Sequence, residues 1–137
     1  MTSPTQRSLK YLRNLGYHCS IVERWNPHTR IRQDLFGFAD LLCIKEGFSP
    51  LLVQVTSSGW SSRIRKIQAE PLSKLALASG FEIEVHGWRK LKTNKNRMTI
   101  KIIPITQEVL NEFQNVQTDS EPDKFDAVSK AGFVPAL

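Results

Sequence analysis

The chain has 137 residues and a mass of 15.6 kDa, with 40% hydrophobic and 23% charged residues, a composition that suits one compact domain. No apolar run approaches the length of a transmembrane helix, and the first residues lack the apolar stretch of a secretory signal. Cys19 and Cys43 are too few for a disulfide scaffold and lack the neighbours of a zinc site. We therefore expect a soluble, cytoplasmic domain with no membrane partner, and we exclude secreted mini-proteins and coiled coils.

Charge is distributed unevenly along the chain. Residues 1–105 contain 17 Lys or Arg and 7 Asp or Glu. Residues 106–137 contain only 2 Lys or Arg but 6 Asp or Glu. A basic body favours a polyanionic partner, with nucleic acid as the first candidate. The alternative is that the basic surface only keeps the protein soluble.

The first half of the chain predicts one helix and three strands. Apolar residues at three- and four-residue spacing, after a Ser-Pro start, predict a helix over 5–15. Alternation predicts a strand over 17–25, and the polar segment 26–33 predicts a loop. Strands over 36–44 and 51–56 flank turn-forming residues, which indicates a hairpin.

The second half returns to the same sheet. A helix is predicted from Ser61 or Ser62 to residue 79, interrupted at Pro71. Strands follow over 81–88 and 97–105, and a short helix begins at Thr106. The order α-β-β-β-α-β-β-α predicts an α/β sandwich with a mixed central sheet over residues 1–117, followed by a flexible acidic tail over 118–137.

Three polar residues interrupt the apolar strands in the predicted hairpin. Asp40 lies among apolar residues, where an unpaired carboxylate is costly, and Gln54 and Thr56 project from one face of the next strand. If the hairpin aligns residue 40 with residue 54, these oxygen-bearing side chains converge, as a hard divalent cation requires. The alternative is that Asp40 caps a turn while the other two meet solvent.

This arrangement resembles the PD-(D/E)XK nuclease superfamily. The resemblance lies in a strand with Glu23, a strand with Asp40, a strand ending in the triplet Gln54-Val55-Thr56, and a basic helix. The segments ERWNPHTRIRQDLFGFADLLCI and LLVQVTSSGWSSRIRKI are similar to small phage and prophage members related to Holliday-junction resolvases and restriction endonucleases. The resemblance covers about residues 5–105.

The resemblance implies a restriction-endonuclease-like fold and a phosphodiesterase site that uses Mg²⁺ or Mn²⁺. The family aspartate falls on Asp40, the acidic residue of the triplet on Gln54, its lysine on Thr56, and a preceding acid on Glu23. Asp40 and Gln54 would hold the metal, and a homodimer is implied. Gln54 brings no charge and Thr56 no ammonium. Either a basic residue elsewhere compensates, with Arg63, Arg65 and Lys66 the nearest candidates in sequence, or the site is weak or inactive.

Basic and aromatic residues near these positions are candidates for DNA contact. Arg30 and Arg32 would flank the site, while Arg63, Arg65 and Lys66 would begin the following helix and bind the phosphate backbone; the alternative is a solvated helix face.

Trp60 is the candidate for base stacking, whereas Trp25 and Trp88 are expected in the core or its rim. Asp34 could assist a metal, but pairing with Arg30 or Arg32 is the favoured interpretation.

The leading hypothesis is therefore a metal-dependent endonuclease that hydrolyses phosphodiester bonds of duplex or branched DNA. The rival is a catalytically degenerate nuclease-fold module that binds nucleic acid, or serves as a subunit, without cleaving. A third interpretation is a protein-interaction module whose acidic tail binds a basic partner.

Overall fold

A computed structural model describes residues 2–115 of the chain, so the predicted tail over 118–137 and the boundary at residue 117 lie outside the described residues. The helices are α1 (Pro4–Asn14), α2 (Trp60–Ala69), α3 (Pro71–Ala78) and α4 (Gln107–Asn115). The strands are β1 (His18–Ile21), β2 (Arg24–Asn26), β3 (Ile31–Gln33), β4 (Leu41–Ile44), β5 (Leu51–Thr56), β6 (Glu82–Lys90) and β7 (Met98–Ile105). Within the described residues, every helix is too short or too polar to cross a membrane.

A mixed five-stranded sheet forms the centre of the α/β fold. Its strand order is β1-β4-β5-β6-β7, with β5 and β6 parallel and the other neighbours antiparallel. A parallel pair needs a crossover, and α2 and α3 supply it between β5 and β6. The predicted α/β class with a mixed sheet is therefore confirmed.

Helices cover both faces of the sheet. Leu9 and Leu12 of α1 pack on one face, whereas Ile64 and Ile67 of α2, with Val109 of α4, pack on the other. Strand β5 is consequently buried along its whole length. This double burial explains why its sequence is a nearly continuous apolar run, and why a polar residue within it stands out.

The region before β4 differs from the prediction. The strand predicted over 17–25 is two strands, β1 and β2, and the predicted loop over 26–33 contains β3, which pairs with β2 in a separate hairpin. The strand predicted over 36–44 begins only at Leu41. Phe36 and Gly37 have positive φ (56° and 84°), and a Cβ at Gly37 would collide with the carboxylate of Glu70, so this segment turns instead of extending.

Pro71 divides the predicted long helix into α2 and α3, as expected, because it cannot donate the hydrogen bond that would continue α2. The side chain of Glu70 caps the new helix by accepting a 3.2 Å hydrogen bond from Leu72 N. The chain then continues through α3 into β6.

Buried polar contacts hold α1 against β6. Ser8 Oγ lies 3.0 Å from Nδ1 of the fully buried His86 and accepts a 2.8 Å hydrogen bond from Trp88 Nε1. His86 Nε2 lies 3.0 Å from Glu84 Oε1. Since Ser8 is fully buried, this network is structural, and it fixes the start of α1 beside the end of β5.

Candidate metal centre

An open cleft of about 430 Å³ lies at the end of β5, between the start of α1, the β2–β3 hairpin and the first half of α2. Its lining is polar and carries both signs of charge. The lining residues are Pro4, Thr5, Glu23, Arg32, Asp34, Asp40, Gln54, Val55, Thr56, Ser57, Ser58, Arg63 and Lys66. All four predicted catalytic residues, Glu23, Asp40, Gln54 and Thr56, are therefore brought to one place.

Three carboxylates meet in this cleft. One oxygen each from Glu23, Asp34 and Asp40 lies within 4.8 Å of the other two. Glu23 and Asp34 are the residues on either side of the β2–β3 hairpin, whose first pair is Arg24 with Gln33. Closure of the hairpin therefore sets two distant acids side by side and next to Asp40.

Asp40 is the most buried of the three acids, with 5% of its surface exposed. Its Oδ2 accepts 2.8 Å hydrogen bonds from Val55 N and from Gln54 Nε2. The pKa of Asp40 is raised from 3.8 to about 7, chiefly by burial and also by the nearby Asp34 and Glu23 carboxylates, against the lowering effect of the Val55 N–H. A cation among these carboxylates would reverse that electrostatic penalty.

Gln54 provides a further oxygen at the same place. The side chain is 2% exposed and lines the cleft; its Nε2 is bonded to Asp40, while its Oε1 is buried without a hydrogen-bond partner. A buried carbonyl oxygen without a partner is costly, and cation coordination would satisfy it. Three carboxylates and one amide oxygen are hard ligands of the type that Mg²⁺ and Mn²⁺ prefer, so the residues present fit such an ion.

Thr56 is engaged with its own turn. Its hydroxyl donates to Ser58 O and accepts a 3.1 Å hydrogen bond from Ser58 N. The side chain is 5% exposed. Thr56 thus shapes the loop that leads into α2, and its position supplies no ammonium to the cleft.

A lysine from α2 occupies the cleft instead. Lys66 Nζ lies 2.9 Å from Asp34 Oδ2, and on the opposite side Arg32 donates a 3.0 Å hydrogen bond to Glu23 Oε1. The favoured pairing of Asp34 with Arg30 or Arg32 was therefore wrong. Lys66 was one of three basic candidates on this helix, and choosing it over Arg63 and Arg65 requires knowing which face of α2 meets the strand end.

The candidates for nucleic-acid contact separate into two groups. Those that line the cleft are Arg32, Arg63 and Lys66, and those outside its lining are Arg30, Arg65 and Trp60. The cleft therefore has a cationic rim around an acidic floor, which is the distribution of charge expected for a cation-assisted phosphate site.

The tryptophans differ from the prediction in one case. Trp25 was expected in the core or its rim and is 59% exposed, because β2 belongs to a separate two-stranded sheet and not to the five-stranded sheet whose faces are buried under helices. Trp60 is half-buried, with Lys101 Nζ 4.4 Å from its ring centroid, and borders with Trp88 a separate cleft of about 250 Å³. Trp60 as a stacking residue remains a prediction.

No protein-family model, curated protein or solved structure matches this chain.

The raised pKa of Asp40 has a measurable consequence for the metal-free protein. Between pH 3.8 and about 7 the folded state holds a proton on Asp40 that the unfolded state has released, so stability falls as the pH rises through this window. At about 1.4 kcal/mol per pKa unit, the loss amounts to at most about 4 kcal/mol. Urea unfolding in chelator at a series of pH values measures it. We expect Asp40→Asn to remove this part of the pH dependence; equal slopes for both proteins would contradict the assignment.

Proposed function

We propose that this protein is a metal-dependent nuclease of the PD-(D/E)XK type that hydrolyses phosphodiester bonds in DNA. The observation that carries the proposal is the cluster of Glu23, Asp34 and Asp40 oxygens within 4.8 Å of one another, beside the unpartnered Oε1 of Gln54. Clusters of acids alone are common on protein surfaces. A buried amide oxygen without a partner, on a residue that lines the same cleft and is hydrogen-bonded to Asp40, adds an independent reason for a cation.

The proposed ligand set is wider than the two residues expected from sequence. Asp40 and Gln54 remain ligands, and Glu23 and Asp34 join them. A divalent cation held by these residues would polarise a phosphate ester and acidify water. Without a cation, Glu23 forms an ion pair with Arg32 and Asp34 forms one with Lys66. Cation binding to the two carboxylates would release both basic side chains towards a substrate.

The released cations would act on the phosphate. Lys66 is the only ammonium among the described residues that line the cleft, and it takes the role that Thr56 cannot perform. In this proposal Lys66 orients the attacking water or stabilises the charge that develops on the phosphate, and Arg63 and Arg32 bind its oxygens. Water adds to phosphorus and the bond to one ester oxygen breaks, which leaves a phosphate and a hydroxyl end.

DNA is the proposed substrate because the basic residues of 1–105 exceed the acidic ones by ten, and because the cleft is open rather than enclosed. Either duplex or branched DNA is compatible with this charge distribution. A homodimer working in a bacterial or phage-infected cytoplasm follows from the resemblance to the small phage nucleases and is part of the same proposal.

The experiment that tests the proposal is incubation of the full chain with linear duplex, single-stranded and four-way-junction DNA in Mn²⁺, Mg²⁺ or chelator. We expect cleavage that requires the divalent ion. Thermal denaturation run beside it should show stabilisation by the same ions, at about 2.7 kcal/mol for an ion at 100 times its dissociation constant.

The rival function makes a different prediction for the same samples. A non-catalytic binding module would bind DNA with steep salt dependence and cleave none of the substrates, whether or not the metal is present. The substitutions of the triplet, Gln54 and Thr56, are the features that favour this rival. Cation-dependent stabilisation without cleavage would reject the nuclease and retain the metal site.

A further inference from the structure

The hairpin formed by β2 and β3 has a composition that its position in the fold does not explain. Residues 24–33 contain three arginines and one histidine and no carboxylate. Two apolar side chains in this segment are largely exposed, Trp25 at 59% and Ile31 at 55%. The two strands form their own two-stranded sheet, outside the five-stranded one.

Trp25 projects from the same side of the hairpin as Arg32. The two residues are directly paired across the antiparallel strands, and directly paired side chains leave the same face of the sheet. Arg32 lines the cleft and contacts Glu23 there. Ile31, which is paired with Asn26, leaves the opposite face. Trp25 is therefore an exposed aromatic ring on the side of the hairpin that borders the acidic cleft.

We propose that the β2–β3 hairpin is a DNA-binding arm and that Trp25 stacks on a nucleobase next to the phosphate held in the cleft. The position of that phosphate rests on the proposed function, whereas the binding itself does not require cleavage. Aromatic side chains stack on bases without sequence preference, and apolar wedges flanked by arginines can enter between base pairs. The arginines of the arm would meanwhile contact phosphates.

The charge of the arm favours DNA over a second copy of this chain as its occupant. In a symmetric dimer the same patch would face itself, and Arg24, Arg30 and Arg32 would approach their own counterparts without a carboxylate from 24–33 between them. A polyanion meets Arg24 and Arg30 favourably even without a cation, whereas Arg32 is paired with Glu23 until a cation displaces it. Like charges placed opposite each other are destabilising, so the arm suits a nucleic acid better than itself.

The test is binding of fluorescein-labelled duplex DNA to the full chain in chelator, by fluorescence anisotropy, with one fully paired duplex and one that contains an unpaired base. Trp25→Ala removes the ring on which the base would stack, so we expect it to weaken binding by about 5- to 100-fold. Trp25→Phe should recover most of the affinity. Because an unpaired base costs less to take out of the stack than a paired one, wild type should bind that duplex more tightly, and Trp25→Ala should reduce the difference.

Matched variants separate stacking from charge and from general damage. Ile31→Ala removes an equally exposed apolar side chain from the other face and should change the affinity by no more than about twofold. Trp25→Ala should leave the salt dependence unchanged, whereas Arg24→Gln should lower the slope of log K against log salt by about one.

Three results would overturn the proposal: equal affinities for Trp25→Ala and Ile31→Ala, no DNA binding by wild type, or loss of a dimer in Trp25→Ala that by itself accounts for the weaker binding. If DNA is cleaved but Trp25→Ala binds like wild type, the arm is rejected and the nuclease stands. If Trp25→Ala weakens binding of a protein that never cleaves, the nuclease is rejected and the arm stands.

Discussion

Asp40→Asn is expected to lower the rate of Mn²⁺-dependent DNA cleavage by about 10³-fold, because it removes a charged ligand from a site that works by electrostatic stabilisation. The substitution preserves shape. An asparagine oxygen can still accept the hydrogen bonds that Val55 N and Gln54 Nε2 now donate to Asp40, so the fold should be retained. Single-turnover cleavage at saturating DNA, over a series of Mn²⁺ concentrations, measures the loss.

The matched control for Asp40→Asn is Glu46→Gln. Glu46 is an exposed carboxylate in the turn between β4 and β5, away from the cleft, and its neutralisation should leave the rate unchanged. Asp40→Asn should also lose the stabilisation by Mn²⁺ seen in thermal denaturation. A rate within tenfold of wild type would show that the cleavage does not use this site.

Lys66→Met is expected to lower the cleavage rate by about 10²- to 10³-fold, which is the usual cost of losing one group that stabilises developing charge. Lys66 is the ammonium that the cleft holds in place of one at Thr56, with its Nζ 2.9 Å from Asp34 Oδ2. Methionine keeps the length of the stem and removes the charge. Rates at saturating DNA and saturating Mn²⁺ separate this effect from weaker binding.

Arg65→Met is the matched control for Lys66→Met. Arg65 precedes Lys66 on α2 but lies away from the cleft, so removing its charge should change the rate at saturating DNA little. Mn²⁺ affinity provides a second readout. Losing Lys66 frees Asp34 from its ion pair, so Mn²⁺ should bind Lys66→Met at least as tightly as wild type. Equal rates for both variants, or weaker Mn²⁺ binding by Lys66→Met, would contradict the proposed role.

Asp40→Asn and Lys66→Met also test how the negative charge of the cleft is neutralised. Without a cation, Arg32 and Lys66 neutralise Glu23 and Asp34 at the entrance, and Asp40 holds a proton up to about pH 7. A bound cation would replace both ion pairs and the proton on Asp40. Metal binding is consequently expected to release protons at neutral pH, because carboxylates must be ionised to act as ligands.

The amino-acid sequence by itself predicted the four helices and strands β5 to β7, and it brought Asp40 and Gln54 of the candidate site together. The apolar run over 51–56 predicted strand β5, and Pro71 predicted where the long helix breaks. Asp40 and Gln54 could be placed together because a hairpin joins strands adjacent in the chain, so its register follows from few residues.

Tertiary structure decided the rest. Asp34 joins the cluster because the β2–β3 hairpin closes between it and Glu23, and the short polar strands of that hairpin carry no apolar alternation that would predict them. Lys66 enters the cleft because packing of Ile64 and Ile67 fixes the rotation of α2. Trp25 is exposed because its strand lies outside the covered sheet. Spacing in the chain predicts which side chains lie on the same helix or strand. Only packing determines which of these elements meet, and therefore which charged side chains line the same cleft.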